Sequence, residues 1–540
     1  MKNFFPEFLF PIILYAETHY KFKGIYSRFF KREPEIIADA PIRVEPGQAI
    51  PVVLLVKDAF RYPIRLKSVT IELRQGDAVL QKHDFLLNEN LDSQRYWHRL
   101  FHINAPQGVA GGIEIDVIIQ IEINGRTKTY RNDNYRISSH LPLRVHLAAD
   151  SLPRFPGWHF GDFHYHSNYT EDQVEFGAPL PVAAEMARAM GLSFFAVTDH
   201  SYDLDDREDS WVINDPALPK WMRLREEVAA LNAQFSGFAI LPGEEVSAGN
   251  SRNRNVHLLI INDPRFYSGK GDGAEQWFST APDLAIPQIL DAMAPEALAL
   301  AGHPEMPFPF LQWLLIRRGR WGAADFAHAR LHGMQLWNGE FDQSFHRGST
   351  NWIRMLLGGR RMVIVAGNDA HGNFNRFRQI GFPFFTMRET NGQLFGKMRT
   401  AVQLTGEVSV PNIIGAVKKG AVQITTGPVV DLTARNERGE NAGPGDEIAG
   451  RRFEIICKTR STPEFGKLKQ VRIILGELGQ RRERTLLERD AFQSPFDDEV
   501  QVGLSELTGA SYIRVEVTSE MVDQVAGRCF SNPVWFNKIK

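Results

Sequence analysis

Short runs in which apolar and polar positions alternate fill residues 36 to 150, in IPVVLLV (50–56), SVTIELR (68–74), IEIDVIIQIEI (113–123) and LPLRVHL (141–147). A period of two puts every second side chain on one face, so the set predicts strands of an all-β sandwich. The same texture returns from about residue 421 in RFEIICK (452–458), QVRIILGE (470–477) and SYIRVEVT (511–518), which predicts a second sandwich. Its hairpin GQRRERTLLERD reads as a solvated edge, and no internal repeat of roughly 20 to 50 residues is visible.

Between these flanks the pattern changes to continuous apolar runs separated by helical segments. The runs are GDFHYH (161–166), SFFAVTD (193–199), GFAILPG (237–243), VHLLIIN (256–262), ALALAGH (297–303), GMQLWN (333–338) and MVIVAGN (362–368). PVAAEMARAM, WMRLREEVAALNAQ, IPQILDAMA and STNWIRMLL intervene as helices. Strands alternating with helices predict a parallel sheet, and seven of them are enough to close a barrel. An open doubly wound sheet is the alternative, without a G-x-G-x-x-G turn to support a dinucleotide. The fold class is therefore multidomain, α/β plus β: a sandwich over 1–150, a (β/α) barrel over 151–420 and a second sandwich over 421–540.

Length and charge narrow this further. The 540 residues carry 62 Lys and Arg against 64 Asp and Glu, a net charge of −2, which speaks against general nucleic-acid binding. Only Cys457 and Cys529 are present, too few for a disulfide framework or a thiolate metal site, and a reducing compartment fits. The most apolar stretch, Phe4 to Tyr15, contains Glu7 and two prolines and is too short to span a bilayer. Packing against the first domain is the fate expected of it, with membrane contact by Phe4, Phe5, Phe8 and Leu9 as the alternative. The chain reads as cytoplasmic.

Candidate chemistry lies in the histidines. Six of the 16 precede residue 159, ten fall between His159 and His371, and none follows. In a parallel barrel chemistry sits where the strands end. The ends of the candidate strands carry His164 and His166, Asp199 and His200, Glu244 and Glu245, His303, and Asp369 and His371. His257 lies near a strand start, which calls for a moved boundary or an antiparallel strand. His164/His166 and Asp369/His371 are i, i+2 pairs, which point to one side of an extended backbone and can grip a cation. Imidazole and carboxylate donors without thiolate suit zinc, manganese or iron, in a set of two or three divalent ions. Asp162 reads as an acceptor for a ligand's spare ring N–H, whereas His328, His332 and His346 read as shell residues.

The motifs G-D-F-H-Y-H-S, V-T-D-H-S, L-P-G-E-E-V, V-H-L-L, A-G-H-P and G-N-D-A-H resemble, in their order, the PHP (polymerase and histidinol phosphatase) metallohydrolases. The resemblance covers about residues 158 to 420. A-V-Q-I-T-T-G-P (421–428), G-D-E-I (445–448) and S-N-P-V-W-F (531–536) resemble the carbaryl-hydrolase-like branch. It implies a distorted seven-stranded barrel holding up to three metals. His164 and His166 would hold one, with Glu245 and Asp369 shared; His257 and His303 would complete a second, and Asp172, His200 and His371 a third. Glu171 is the alternative to Asp172.

Clustered cations imply hydrolysis by a metal-bridging hydroxide, with Asp369, Glu245 and His371 in the catalytic group. No G-x-S-x-G elbow competes. The substrate is expected to be a small-molecule ester. Arg252, Arg254, Arg376 and Arg378, close to the ligand motifs, favour a phosphoester. The aromatic residues Trp277, Phe278, Phe308, Phe310, Trp313 and Trp337 would favour a carbamate or carboxylic ester instead. An inactive binding protein with a degenerate barrel is the reading of another class.

Overall fold

The computed structural model describes residues 33–134, 140–170, 177–208, 213–271, 279–375, 377–379, 388–390, 392–505, 507 and 509–538. Glu171, Asp172, Trp277, Phe278, Arg376 and the leader Phe4 to Tyr15 lie outside the described residues. Arg378 is described only by its place in the strand Phe377–Gln379.

The N-terminal strands form two sheets around one core. One contains Ile64–Gln75, Ala78–Leu91, Gly111–Ile123 and Leu143–Leu147, and the other contains Glu35–Asp39, Ile50–Lys57 and Tyr96–Ile103. Along Gly111–Ile123 the alternation buries Ile113, Ile115, Val117, Ile119 and Ile121. Each such side chain contributes about 1.5–3 kcal/mol by leaving water. Ile50–Lys57 is apolar throughout because both of its faces are covered. Val52, Leu54 and Val56 enter the N-terminal core, whereas Val53 and Leu55 enter the core beneath the central sheet.

The central segment departs from the expected parallel barrel. Trp158–His166, Phe194–Val197 and Ala239–Gly249 are parallel neighbours. Asn255–Ile261 then runs antiparallel to both Ala239–Gly249 and Leu298–Ala301, after which Gly333–Trp337 and Val363–Ala366 are parallel again. Only residues 250–254 separate Ala239–Gly249 from Asn255–Ile261, too few for a crossover helix. Asn250 closes this turn by accepting the amides of Arg252 and Arg254 at 2.9 and 3.0 Å, and Asn253 takes a left-handed φ of 53°.

The sheet also runs on where a barrel would close. Trp158–His166 pairs antiparallel with Arg399–Gln403, which pairs with Val422–Thr425, and the ladder continues into Val525–Ser531, Ser511–Val522 and Leu468–Glu477. Side chains bridge the remaining gap at Val363–Ala366. The Thr400 hydroxyl accepts the Ala366 amide at 2.7 Å and donates to its carbonyl at 2.8 Å. Asn532 accepts the Ile364 amide at 2.9 Å and donates to Ile364 and Val422 carbonyls at 3.1 and 3.0 Å.

Among the described residues strands hold 45% and helices 16%, so the α/β assignment is corrected to a mostly β protein. The closed seven-stranded, TIM-like PHP barrel is corrected to a mixed sheet of 16 strands that passes into the C-terminal region. There a four-stranded sheet, including Val429–Asn436 and Arg452–Arg460, packs over it on a shared core. Among the described residues no helix is long and apolar enough to cross a membrane.

Candidate metal centre

Seven side chains from five places in the chain converge where the parallel strands end. His164 and His166 share one side of Trp158–His166, and their Nε2 atoms stand 3.0 Å apart. Asp369 Oδ1 lies 3.3 Å from His164 Nε2 and 3.1 Å from His166 Nε2. Glu245 faces the same pair from Ala239–Gly249, its Oε1 3.4 Å from His164 and its Oε2 3.5 Å from His166. His200 Nδ1 approaches Glu245 Oε2 at 3.0 Å, and His303 Nε2 approaches Oε1 at 3.1 Å. The His371 ring stacks on that of His166, centroids 4.1 Å apart.

These donors fall into two groups, His166, His200 and His371, and His164, Glu245, His303 and Asp369, each with its donor atoms within 4.8 Å of one another. All seven residues are buried. Ring nitrogens and carboxylate oxygens this close crowd lone pairs together unless protons or cations stand between them.

Surrounding residues fix which nitrogens face inward. Gln335 Nε2 donates to the Gly367 carbonyl at 2.9 Å, and Gln335 Oε1 accepts the His303 amide at 3.2 Å, which sets its amide orientation. The same oxygen lies 2.8 Å from His164 Nδ1, so that nitrogen donates to it and Nε2 is the nitrogen left to face the cluster. His371 Nδ1 donates to the Asp369 carbonyl at 3.2 Å, leaving its Nε2 inward in the same way. Gly367 is needed behind His164, because a Cβ there would stand 2.6 Å from the His164 Cβ. Asp369 itself holds a left-handed φ of 54°, strain that places its carboxylate.

His257 stands beside the two groups. It lies at the start of an antiparallel strand, and so at the end where the parallel strands finish. Its Nδ1 lies 2.6 Å from Glu245 Oε1 and 3.2 Å from His303 Nε2, and its Nε2 is met by the Arg318 guanidinium. Burial lowers the pKa of His164, but the Asp369 and Glu245 carboxylates outweigh it and hold the group at about 9. For Glu245 burial acts upward, yet His257 and His164 pull it well below the usual carboxylate range. Burial and the neighbouring His371 and His200 push His166 far down.

Other residues singled out from the sequence do different work. Asp162 touches no ring. It accepts the backbone amides of His164 and Asn368, each at 3.0 Å, and burial raises it to about 6. Asp199 ties down the loop after His166 by accepting the Ser167 and Thr170 amides at 2.7 and 2.9 Å. Glu244 turns away to Ser201 and the Tyr267 amide. His328 pairs with Asp291, His332 accepts the Ala299 amide, and His346 packs on Phe341. Gln335, Arg318, Asn338 and Gln393 were missed. The available signal was a glutamine inside the apolar run GMQLWN.

A cavity of about 500 Å³ adjoins the cluster at His303, lined also by Glu305, Met306, Asn338, Glu340 and Gln393. Asn338 and Gln393 donate to Asp369 Oδ2 at 3.4 and 3.2 Å, so the cavity reaches the cluster through their amides. Among its described lining residues none is Lys or Arg.

No protein-family model matches the chain, and no curated protein matches it. Solved structures similar to it include a β-glucuronidase of Parabacteroides merdae, with 8% identity, 94% of this chain and 64% of that one covered, and a TM-score of 0.20. A cycloisomaltooligosaccharide glucanotransferase of Paenibacillus sp. follows, with 10% identity, coverage of 92% and 71%, and a TM-score of 0.19. A glycosyl hydrolase family 2 member from Bacteroides cellulosilyticus has 7% identity, coverage of 95% and 64%, and a TM-score of 0.18. The chain thus spans less than two thirds of the glucuronidase and family 2 structures.

The expectation of a phosphoesterase working by a metal-bridging hydroxide, or of a carbamate or carboxylic ester hydrolase, is corrected. Among the described residues lining the cavity beside the cluster, no Lys or Arg stands ready to pair with an anionic ester. Of the arginines behind the phosphoester choice, Arg252 and Arg254 have described side chains, and no anion site is built on either. Arg254 donates to the Trp313 carbonyl at 2.7 Å and lies over the Trp313 ring, and Arg252 is exposed in the Asn250 turn. The described members of the aromatic set form no ester pocket: Phe310 is 64% exposed and stacks on Trp313, while Trp337 is core. Phe308 lines a small recess with His257 and Arg318.

Proposed function

We propose that the cluster holds two or three divalent cations and is the catalytic centre of a hydrolase. The observation that carries this reading is the convergence of two groups of buried imidazole and carboxylate donors, each within 4.8 Å, with the inward nitrogens of His164 and His371 set by hydrogen bonds. Nitrogen and oxygen donors without thiolate fit zinc, manganese or iron. Bound there, such ions polarise a substrate oxygen and ease deprotonation of water. His164, Glu245, His303 and Asp369 hold one position, and His166, His200 and His371 hold the other. Gln335 orients His164, and Asn338 and Gln393 orient Asp369 while presenting amides to a molecule in the cavity. Burial keeps bulk water from the donors.

The test is elemental analysis of gently purified and reconstituted protein, followed by release of p-nitrophenol from a panel of conjugates that includes glycosides. At least two equivalents of metal are expected, with activity lost on chelation and restored by metal. Less than half an equivalent after reconstitution overturns the reading. A metal-free protein that cleaves a glycoside at full rate replaces it with carboxylate-only catalysis.

A further inference from the structure

A second cavity, larger than the one beside the cluster, takes no part in the metal centre. It has a volume of about 680 Å³ and lies at the opposite end of the central sheet, where Trp158–His166 begins and Arg399–Gln403 ends. The helix Val410–Lys419 forms one wall and the C-terminal strands the other.

Its chemistry is distinctive. Lys419 and Asp446 are the only charged residues among the described lining, and they neutralise each other at 2.7 Å. Gln403, Thr405, Asn412, Thr433 and Asn441 supply amides and hydroxyls, over a floor of buried Leu404 and Leu432. A free anion finds no unpaired cation there, and an apolar molecule would strip water from five polar side chains without replacing its hydrogen bonds. The helix also carries Gly415 in its interior, where a Cβ would meet nothing within 4 Å. Glycine weakens a helix at such a position. What it provides is room on the wall of the cleft.

We propose that this cleft binds a neutral, hydroxyl-rich ligand of mono- or disaccharide size. Hydroxyls match alternating amide donors and acceptors, the faces of a sugar ring match the aliphatic floor, and the volume suits a small molecule. The site is separate from the metal centre and does not depend on the catalytic reading.

Saturation-transfer NMR on the full chain, with glucose, galactose, lactose and cellobiose as probes and inorganic phosphate as control, tests this. Saturable binding of at least one sugar with a Kd of about 1 mM or tighter is expected, unchanged by chelation. Binding should weaken at least about tenfold in Gly415→Trp and in Asn412→Trp, which fill the cleft from the helix and from its exposed edge. Two variants guard against one that fails to fold. The proposal is overturned if no sugar saturates, if phosphate alone binds, if folded variants bind as the parent does, or if chelation abolishes binding.

Discussion

The two ends of the central sheet are built in opposite ways. At the end where Trp158–His166 finishes, five imidazoles and two carboxylates are packed out of water, Asp369 is strained and Gly367 admits no side chain. At the end where that strand begins, the cleft is open, its one ion pair is closed and its polar groups are neutral. Each buried polar group left without a partner costs about 1–3 kcal/mol. One end therefore concentrates titratable groups at a cost that a bound cation would offset, whereas the other avoids that cost and keeps space.

The sharpest break of this contrast is Asp369→Asn, which removes a donor near both His164 and His166. Loss of several kcal/mol of charge stabilisation corresponds to about a thousandfold in rate. Metal content should fall by at least one equivalent in a variant whose circular dichroism is unchanged. Wild-type rate and metal content would place the chemistry elsewhere.

Next in size is Ile119→Ala, in the N-terminal core far from either end. Truncating this fully buried side chain should destabilise the protein by about 2–5 kcal/mol, read as a lower midpoint in urea. Metal bound per folded molecule should not change. If metal is lost with stability still adequate, the cluster and the N-terminal sandwich are coupled, as Val53 and Leu55 beneath the central sheet would allow.

Gln335→Leu asks whether orientation matters apart from ligation. It leaves His164 Nδ1 and the His303 amide without their acceptor, and metal affinity should drop about 10- to 100-fold. Gln335→Glu keeps an acceptor and should lose less. Equal losses in both would mean that packing alone is being measured.

Gln335 also marks where sequence legibility stops. The i, i+2 pair His164/His166 was readable because strand period is local, whereas the preference for Glu245 over Glu244 came from the family resemblance, with alternation then turning Glu244 away. The partnership of His164 with Gln335 spans 171 residues, and no spacing rule reaches it. The antiparallel alternative for His257 is the one realised: residues 250–254 are too few for a crossover helix, so Asn255–Ile261 reverses and brings His257 to the cluster. The continuation of the sheet into Val422–Thr425 was hidden for another reason: it depends on Thr400 and Asn532 bridging a gap that a barrel ladder would have filled.

Histidine chemistry differs between cluster and shell, and pH separates the two. Burial, with Lys418 and Arg330 nearby, lowers His332 from 6.5 to about 4, so it is neutral in the fold. The unfolded chain takes up this proton near pH 6.5. Stability from this group is complete above that pH and falls as the pH drops from 6.5 to about 4, by on the order of 2 kcal/mol once partial exposure is allowed for. His332→Gln should flatten that part of the stability profile in chemical denaturation while metal content stays constant. A profile of unchanged slope would assign the acid sensitivity to the cluster instead.

The smallest effect belongs to the cleft. Gly415 sits within Val410–Lys419, has no atom within 4 Å of where its Cβ would lie, and is not in a left-handed conformation. Gly415→Ala should therefore stabilise the protein by about 0.5–1 kcal/mol, because alanine loses less backbone freedom on folding and meets no clash. Thermal unfolding with and without saturating sugar separates this gain from function. If the cleft needs the space, the alanine variant melts higher without sugar and gains less from its addition than the parent does. If both proteins gain equally, the added methyl does not reach the ligand, and the glycine is explained by neither folding nor binding. A destabilised alanine variant would mean that the helix wall is closed in solution, and the contrast between the two ends would fail on its open side.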